Sequence, residues 1–122
     1  MRAIRLLAGA LLLGTATLTQ ALSLQPYSAQ ALADAQQAGK PVALHFHADW
    51  CPVCAEQQRA LKAIQDGPTV LVANYDQEAE LKRQHRVRAQ STLLVFKGHK
   101  ETARVVGDSQ PAALAKALQS AQ

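Results

Sequence analysis

Residues 48–54 read Ala-Asp-Trp-Cys-Pro-Val-Cys, and the rest of the chain is arranged around this stretch. It follows an apolar run, Val42 to Phe46, and precedes a helix-forming run, Ala55 to Gln65. A strand is therefore expected to pass into a helix here. The N-terminus of a helix leaves backbone N–H groups unpaired and carries about half a positive charge. A cysteine at that position is biased towards the thiolate, the form that attacks disulfides.

The only two cysteines of the chain are Cys51 and Cys54, which stand three positions apart. About one helical turn separates them, so the second thiol can form a disulfide with the first. Pro52 fits the first helical turn, where its missing N–H costs nothing. We therefore predict a redox-active dithiol–disulfide pair.

Two alternatives use the same cysteines. A structural disulfide across so short a loop would stabilise the chain little, because it restricts the unfolded state only slightly. Half of a zinc site would need two further ligands, and the sequence offers only four scattered histidines. The short spacing favours redox chemistry over a structural disulfide, and the lack of a second cysteine pair favours it over zinc.

Residues 1–21 have the pattern of a signal peptide. Arg2 and Arg5 precede an uncharged, Leu- and Ala-rich run from Leu6 to Leu18, and that run is shorter than the ~20 residues that a spanning helix needs. Small residues then favour cleavage after Ala21, with Ser23 as the near alternative. An uncleaved N-terminal anchor is the other interpretation.

The formal net charge of +4 at pH 7 includes two arginines of this leader, so the remaining charge is small. That charge does not indicate a nucleic-acid partner. No second long apolar stretch follows, and we expect one soluble domain at residues 22–122 with no membrane segment after cleavage. The export signal predicts a location in the bacterial periplasm, or an equivalent exported space.

The pattern of apolar residues predicts an α/β domain with the element order αβαβαββα. Residues 41–47 alternate as a buried central strand, with Val42, Leu44 and Phe46 on one face and alanine and histidines on the other. Residues 22–25 are expected to be a flexible start, and Asp76 is expected to cap the third helix. Four strands in this order predict a central mixed sheet of about four strands, flanked by helices on both faces.

From about Lys40 to Leu118 the chain resembles the thioredoxin-like superfamily. Residues 41–54 are similar to the active-site strand and helix of that superfamily, and Thr92 to Phe96 and Gly107 fall where it has its hairpin and closing glycine. Residues 39–42 and 48–51 are especially similar to periplasmic thioredoxins and to the C-terminal thioredoxin-like domain of DsbD-type membrane disulfide reductases.

The resemblance implies a thioredoxin-like fold and thiol–disulfide exchange with protein disulfide or dithiol substrates. It implies that Cys51 is the exposed nucleophile and that Cys54 is the buried thiol that resolves the mixed disulfide. It implies no organic cofactor. In an oxidising compartment, sustained reduction needs an electron source, and the DsbD-like similarity suggests a membrane disulfide reductase as donor.

The resemblance also implies a substrate-binding surface beside the cysteines, formed by Trp50, Pro52, Gln90, Ser91 and Thr92. One of these positions departs from the family. Its members nearly always place a cis-proline where this chain has Ser91. Because a cis bond before a non-proline residue costs roughly 2.5 to 4 kcal/mol, we expect a trans Gln90–Ser91 bond. In the family that proline keeps metal ions away, so a copper- or soft-metal-binding protein using the same cysteines is the alternative function.

His45 is a second departure, because thioredoxins carry a buried acid at this position of the strand. A histidine titrates near neutrality. We predict that His45 is catalytic, as the proton acceptor for Cys54. The alternative is a core histidine hydrogen-bonded within the protein.

Overall fold

The apolar run at residues 41–47 is the central strand of a five-stranded sheet in a computed structural model, which describes Gly14 and residues 22–122. The predicted signal peptide, residues 1–21, lies outside the described residues apart from Gly14. The elements of the described part are, in chain order, β1 (Leu24–Pro26), α1 (Ala29–Gln37), β2 (Pro41–His47), α2 (Pro52–Ala63), β3 (Thr69–Asn74), α3 (Ala79–Gln84), β4 (Thr92–Lys97), β5 (Lys100–Val106) and α4 (Pro111–Gln119).

The strands lie in the spatial order β1-β3-β2-β4-β5. Strand β3 runs parallel to both β1 and β2, whereas β4 runs antiparallel to β2 and β5 antiparallel to β4. The sheet is therefore mixed, as the order of elements predicted. Its centre, β2, is paired on both sides, and its last residue leads directly into the stretch that carries the cysteines.

The alternation of β2 divides the core into two layers. Val42, Leu44 and Phe46 pack on one face with residues of α1 and α3, including Leu32 and Leu81. On the other face, residues of β2, β3 and β4 pack against α2 and α4. The predicted assignment of side chains to the two faces is confirmed, and it places His45 on the same side of the sheet as α2.

The beginning of the domain corrects one prediction. Residues 22–25 are not a flexible start, because β1 adds a parallel edge strand to β3, in register from Leu24 opposite Val70. Backbone hydrogen bonds from Leu22 N to Gln65 O (3.1 Å) and from Val70 N to Ser23 O (2.8 Å) fix this segment. The sheet consequently has five strands instead of about four.

The third helix also begins later than predicted, at Ala79 with Glu78 as its N-cap. Asp76 does not cap it, since the Asn74 side chain accepts hydrogen bonds from the backbone N–H groups of Asp76 and Gln77. These bonds form a turn between β3 and the helix. No helix in residues 22–122 has the length and apolar character that crossing a membrane requires.

Candidate active site

Cys51 is the N-cap residue of α2, in extended conformation at φ −99° and ψ 110°. Its sulfur accepts a hydrogen bond from the backbone N–H of Cys54, with an N···Sγ distance of 3.2 Å. Pro52 occupies the first helical turn, as predicted. Both thiols are free. The chain thus places a sulfur where a capping oxygen usually lies, at the positive end of a helix.

The resemblance implied an exposed Cys51, but only 4% of this residue is accessible. It is enclosed because the N-cap geometry turns its side chain towards the helix, where Ala48, Cys54 and Tyr75 pack around it. Little of Cys51 is therefore open to solvent at this end of α2.

Cys54 is fully buried, as predicted for the resolving thiol. Its sulfur donates a long hydrogen bond to the Phe46 carbonyl oxygen, at 3.9 Å. The pKa of the Cys54 thiol is raised to about 11, first by burial and then by the hydrogen bond with Cys51, against the lowering effect of hydrogen bonds with the Ala48 and Ser91 backbones. The Ser91 segment is linked to this thiol although it is distant in the sequence, because Ser91 N donates to the same Phe46 carbonyl oxygen at 3.0 Å.

His45 is fully buried in β2, and its Nε2 lies 2.8 Å from Oε1 of Gln57 on α2. Burial lowers the pKa of His45 to about 4, with an upward contribution from Gln57 and a downward one from His47. The ring is thus neutral near pH 7 and does not titrate near neutrality as the sequence suggested. The role of His45 as proton acceptor for Cys54 stays a prediction. It would use the neutral ring, whose buried Nδ1 has no hydrogen-bond partner among the described residues.

The second histidine of the strand, His47, lies at the end of the sheet. Its Nε2 is 3.1 Å from Oδ1 of Asp49, and its ring centroid is 5.8 Å from that of His45. Within residues 22–122, histidine, cysteine and carboxylate side chains nowhere gather in a group of three or more that could hold a metal ion. The soft-metal alternative therefore has no ligand cluster to support it.

Trp50 is 60% exposed beside the buried dithiol. Its indole Nε1–H donates to Oδ2 of Asp76 at 2.7 Å, which fixes the ring at the mouth of the site. Pro52 and Val53 are also exposed there. The structure thus brings two of the predicted substrate-binding residues, Trp50 and Pro52, next to Cys51 in space as well as in sequence.

The other three predicted substrate-binding residues form the loop before β4. Ser91 N donates to the Phe46 carbonyl at 3.0 Å, and Gly107 N donates to the Ser91 carbonyl at 3.0 Å. The hydroxyl of Thr92 donates to the Ala89 carbonyl at 2.7 Å. Gln90 is half-buried, and Ser91 and Thr92 are buried, so their backbones lie close to the dithiol while little of their side chains faces solvent.

Ser91 adopts a left-handed conformation, with φ 57°. All peptide bonds of residues 22–122 are trans, which confirms the prediction for Gln90–Ser91. The Ser91 hydroxyl donates to the Gln90 carbonyl oxygen at 2.5 Å. It therefore bonds to its own loop instead of to the cysteines.

Three contributors to this site were not identified from the sequence: Gln57, Tyr75 and Asp76. Gln57 had a readable signal, because it lies one turn after Cys54 and one turn before Leu61 on the inward face of α2. A polar residue at such a position needs a buried partner. No sequence pattern indicated Tyr75 or Asp76, because their contacts depend on how β3 ends beside the dithiol.

The family model for thioredoxin matches residues 25–120. The chain belongs to the thioredoxin family. The solved structure of Trxlp from Edwardsiella tarda is 36% identical, with a TM-score of 0.70 over 79% of this chain and 98% of that one. The thioredoxin NaTrxh from Nicotiana alata is 21% identical, with a TM-score of 0.67 over 89% of this chain and 99% of that one, a likeness of fold alone.

Among curated proteins, a bifunctional thioredoxin reductase/thioredoxin from Mycobacterium leprae is 29% identical over 101 residues, which is 80% of this chain. This chain spans only 22% of the length of that relative. The expected superfamily and the thioredoxin-like fold are both confirmed. The chain is a thioredoxin-family protein with the dithiol of a thiol–disulfide oxidoreductase.

Proposed function

We propose that this protein is an exported thiol–disulfide oxidoreductase that reduces disulfides in protein partners through Cys51 and Cys54. One observation carries the proposal: the Cys54 backbone N–H donates to the Cys51 sulfur at the N-cap of α2. A backbone N–H and the N-terminal end of a helix both favour negative charge on the atom that they face. The buried second thiol then lies one turn away, where only Cys51 can be its target.

Reduction of a partner takes two exchanges. The Cys51 thiolate attacks one sulfur of the partner disulfide, so a Cys51–partner bond forms and the other partner sulfur leaves as a thiolate. Cys54 loses its proton and attacks the Cys51 sulfur, which breaks the mixed disulfide and releases the second partner thiolate. Two electrons have passed to the partner, whose thiolates take up protons, and a Cys51–Cys54 disulfide remains.

The reducing direction and the donor are also part of the proposal. The Mycobacterium leprae relative is a bifunctional thioredoxin reductase/thioredoxin, and this supports a reductase as the electron donor of the present chain. For this chain we propose a membrane disulfide reductase as donor, because the pattern of residues 1–21 predicts export to the periplasm. The relative supports the type of donor and the pattern of residues 1–21 supports its location, so the two arguments are independent.

We further propose that partner segments bind along the surface of Trp50 and Pro52 and the backbone of residues 90–92. Trp50 supplies an exposed apolar ring fixed by Asp76, and the loop before β4 is hydrogen-bonded through Ser91 N to the Phe46 carbonyl that also accepts from Cys54 Sγ. A disulfide that enters between them meets the opening above Cys51.

The reduction potential of the Cys51–Cys54 pair, measured in residues 22–122 by equilibration with glutathione, tests the direction. A value near or below about −200 mV is expected of a reductant. A value near about −120 mV would mark a disulfide donor and contradict the proposed direction. Export is tested separately, by N-terminal sequencing of protein from the periplasmic fraction, which should begin at Leu22.

A further inference from the structure

The side chain of Gln57 joins three parts of the chain beneath the dithiol. Its Nε2 donates to the Ser91 carbonyl and to the Asp108 carbonyl, each at 2.9 Å, and its Oε1 lies 2.8 Å from His45 Nε2. The residue is fully buried on α2. Both N–H donors of the amide and its oxygen are thus hydrogen-bonded, as the burial of a polar group requires.

These contacts fix the orientation of the amide. An amide oxygen cannot accept from a carbonyl, so the nitrogen must face Ser91 and Asp108 and the oxygen must face His45. His45 must then donate from Nε2, in agreement with the neutral ring that its burial imposes. Gln57 therefore selects one tautomer of His45 and holds two loops at the same time.

One of these loops shares a hydrogen-bond acceptor with the resolving thiol, because Ser91 N and Cys54 Sγ both donate to the Phe46 carbonyl oxygen, at 3.0 Å and 3.9 Å. The Ser91 backbone lowers the pKa of Cys54, against the effect of burial. Gln57 and Gly107 both bind the Ser91 carbonyl and hold this residue in its left-handed conformation. Since Cys54 and Gln57 are one turn apart on the same helix, motion of the loop relative to the thiol is restrained from within α2.

We propose that Gln57 is a positioning residue for the second exchange of the proposed reaction. It holds the Ser91 backbone, whose N–H donates to the Phe46 carbonyl beside the Cys54 sulfur, in place while the Cys54 thiolate forms and attacks Cys51. The proton leaves Cys54, the Cys54–Cys51 bond forms, and the partner thiolate departs. None of the Gln57 hydrogen bonds involves Cys51, so the first exchange is expected to be independent of them. The inference rests on the dithiol exchange activity and adds a residue to it.

Gln57→Met tests this proposal, because methionine keeps the length of the side chain and removes its polar atoms. The reduced protein is mixed with dithiobis-nitrobenzoate, an aromatic disulfide that releases one coloured thiolate in each exchange. The first phase depends on reagent concentration and the second does not. The variant should slow the second phase by about tenfold, as expected from the loss of buried hydrogen bonds, and change the first by less than about twofold.

The pH dependence of the second phase separates positioning from general destabilisation. Its midpoint should rise by about one pH unit in Gln57→Met, because the Ser91 contribution to the Cys54 thiolate is lost. The other titratable side chains at the cluster are Cys51 and Tyr75, which the substitution leaves in place, and His45. Loss of the Gln57 hydrogen bond lowers the pKa of His45 further below about 4, so this ring stays neutral near pH 7. Gln58→Leu, a neighbour on α2 without a side-chain hydrogen bond in residues 22–122, is the matched control and should retain both phases.

An unchanged second phase in folded Gln57→Met, or equal slowing of both phases at an unchanged midpoint, would overturn the proposal. If Gln57→Met does not fold, Gln57→Asn replaces it, since its shorter side chain cannot reach His45 and both carbonyls together. A wild-type second phase in that variant would also overturn the proposal. A wild-type protein that shows both phases with the reagent but reduces no protein disulfide would contradict the proposed function instead.

Discussion

The indole N–H of Trp50 donates to the carboxylate of Asp76, with 2.7 Å between Nε1 and Oδ2, although the two residues are 26 positions apart in the chain. This bond joins the residue before Cys51 to the turn that follows β3. It fixes an exposed aromatic ring at the opening of a dithiol that is itself buried. The ring is therefore presented to a partner in one orientation, which reduces the entropy lost on binding.

Removal of the Asp76 carboxylate should weaken partner binding more than chemistry. In Asp76→Ala the ring is no longer fixed, and we expect KM for a protein disulfide to rise by about fivefold while kcat stays within about twofold. Asp76→Asn keeps an oxygen that accepts from the indole and should behave as wild type. Steady-state reduction of a protein disulfide gives both constants. An effect on kcat alone would contradict the interpretation.

The two cysteines should give opposite results when each is replaced by serine. Cys54→Ser keeps the nucleophile but removes the thiol that releases the partner, so a covalent complex with the partner should accumulate. Cys51→Ser should form no such complex, because the remaining thiol is fully buried. Non-reducing electrophoresis and mass spectrometry distinguish the two. A complex of similar yield in both variants would refute the assigned roles.

The pKa of the Cys54 thiol should be lower in the mixed disulfide with a partner than in the reduced protein. In the reduced protein its pKa is raised to about 11, first by burial and then by its interactions with Cys51. In a mixed disulfide Cys51 is no longer a thiol, so the part due to Cys51 disappears and the pKa should fall below that value. Thiolate absorbance of the reduced protein and the pH profile of the resolution phase measure the two states. Equal midpoints would show that Cys51 contributes nothing.

His45 should make the domain sensitive to acid. Burial lowers its pKa from the ordinary 6.5 to about 4, so the unfolded chain binds a proton at a higher pH than the folded one. The stability is therefore complete above about pH 6.5 and declines as the pH falls towards 4, by roughly 3 kcal/mol in all.

Urea unfolding between pH 7 and pH 4 tests this expectation. His45→Gln should lose this part of the pH dependence, because its side chain takes up no proton in the unfolded chain. His99→Gln, at an exposed position, should retain it. An equal decline in all three proteins would assign the acid sensitivity to other groups.

Ser91 is a position at which proline should be harmful in this chain. Its φ of 57° is incompatible with the proline ring, and its N–H donates to the Phe46 carbonyl. Ser91→Pro should lower the free energy of unfolding by about 3 kcal/mol or more. Ser91→Gly should raise it by up to about 1 kcal/mol, since glycine adopts positive φ without strain. Denaturant unfolding of both variants measures the sign of each change in the free energy of unfolding. A proline variant as stable as wild type would show that the loop rearranges.

Much of the fold was predictable because local patterns agree with one another. The alternation in residues 41–47 assigned the two faces of β2, and the spacing of Cys51 and Cys54 at a strand–helix junction identified the dithiol. The predictions were wrong where a neighbouring side chain formed hydrogen bonds that the local pattern did not indicate. Asp76 has the side chain of a helix cap, but the Asn74 side chain accepts from its N–H and forms a turn instead.

The sequence by itself determined the dithiol, the helix end that carries it and the order of strands and helices, because these depend on neighbours a few positions apart. Only the tertiary structure decided the environment of that dithiol. Gln57 meets Ser91 and Asp108 across 34 and 51 positions of the chain. His45 loses its ordinary titration because helix and sheet exclude water from both sides of the ring. Burial and long-range hydrogen bonds set these properties, and both exist only once the sheet and helices have packed together.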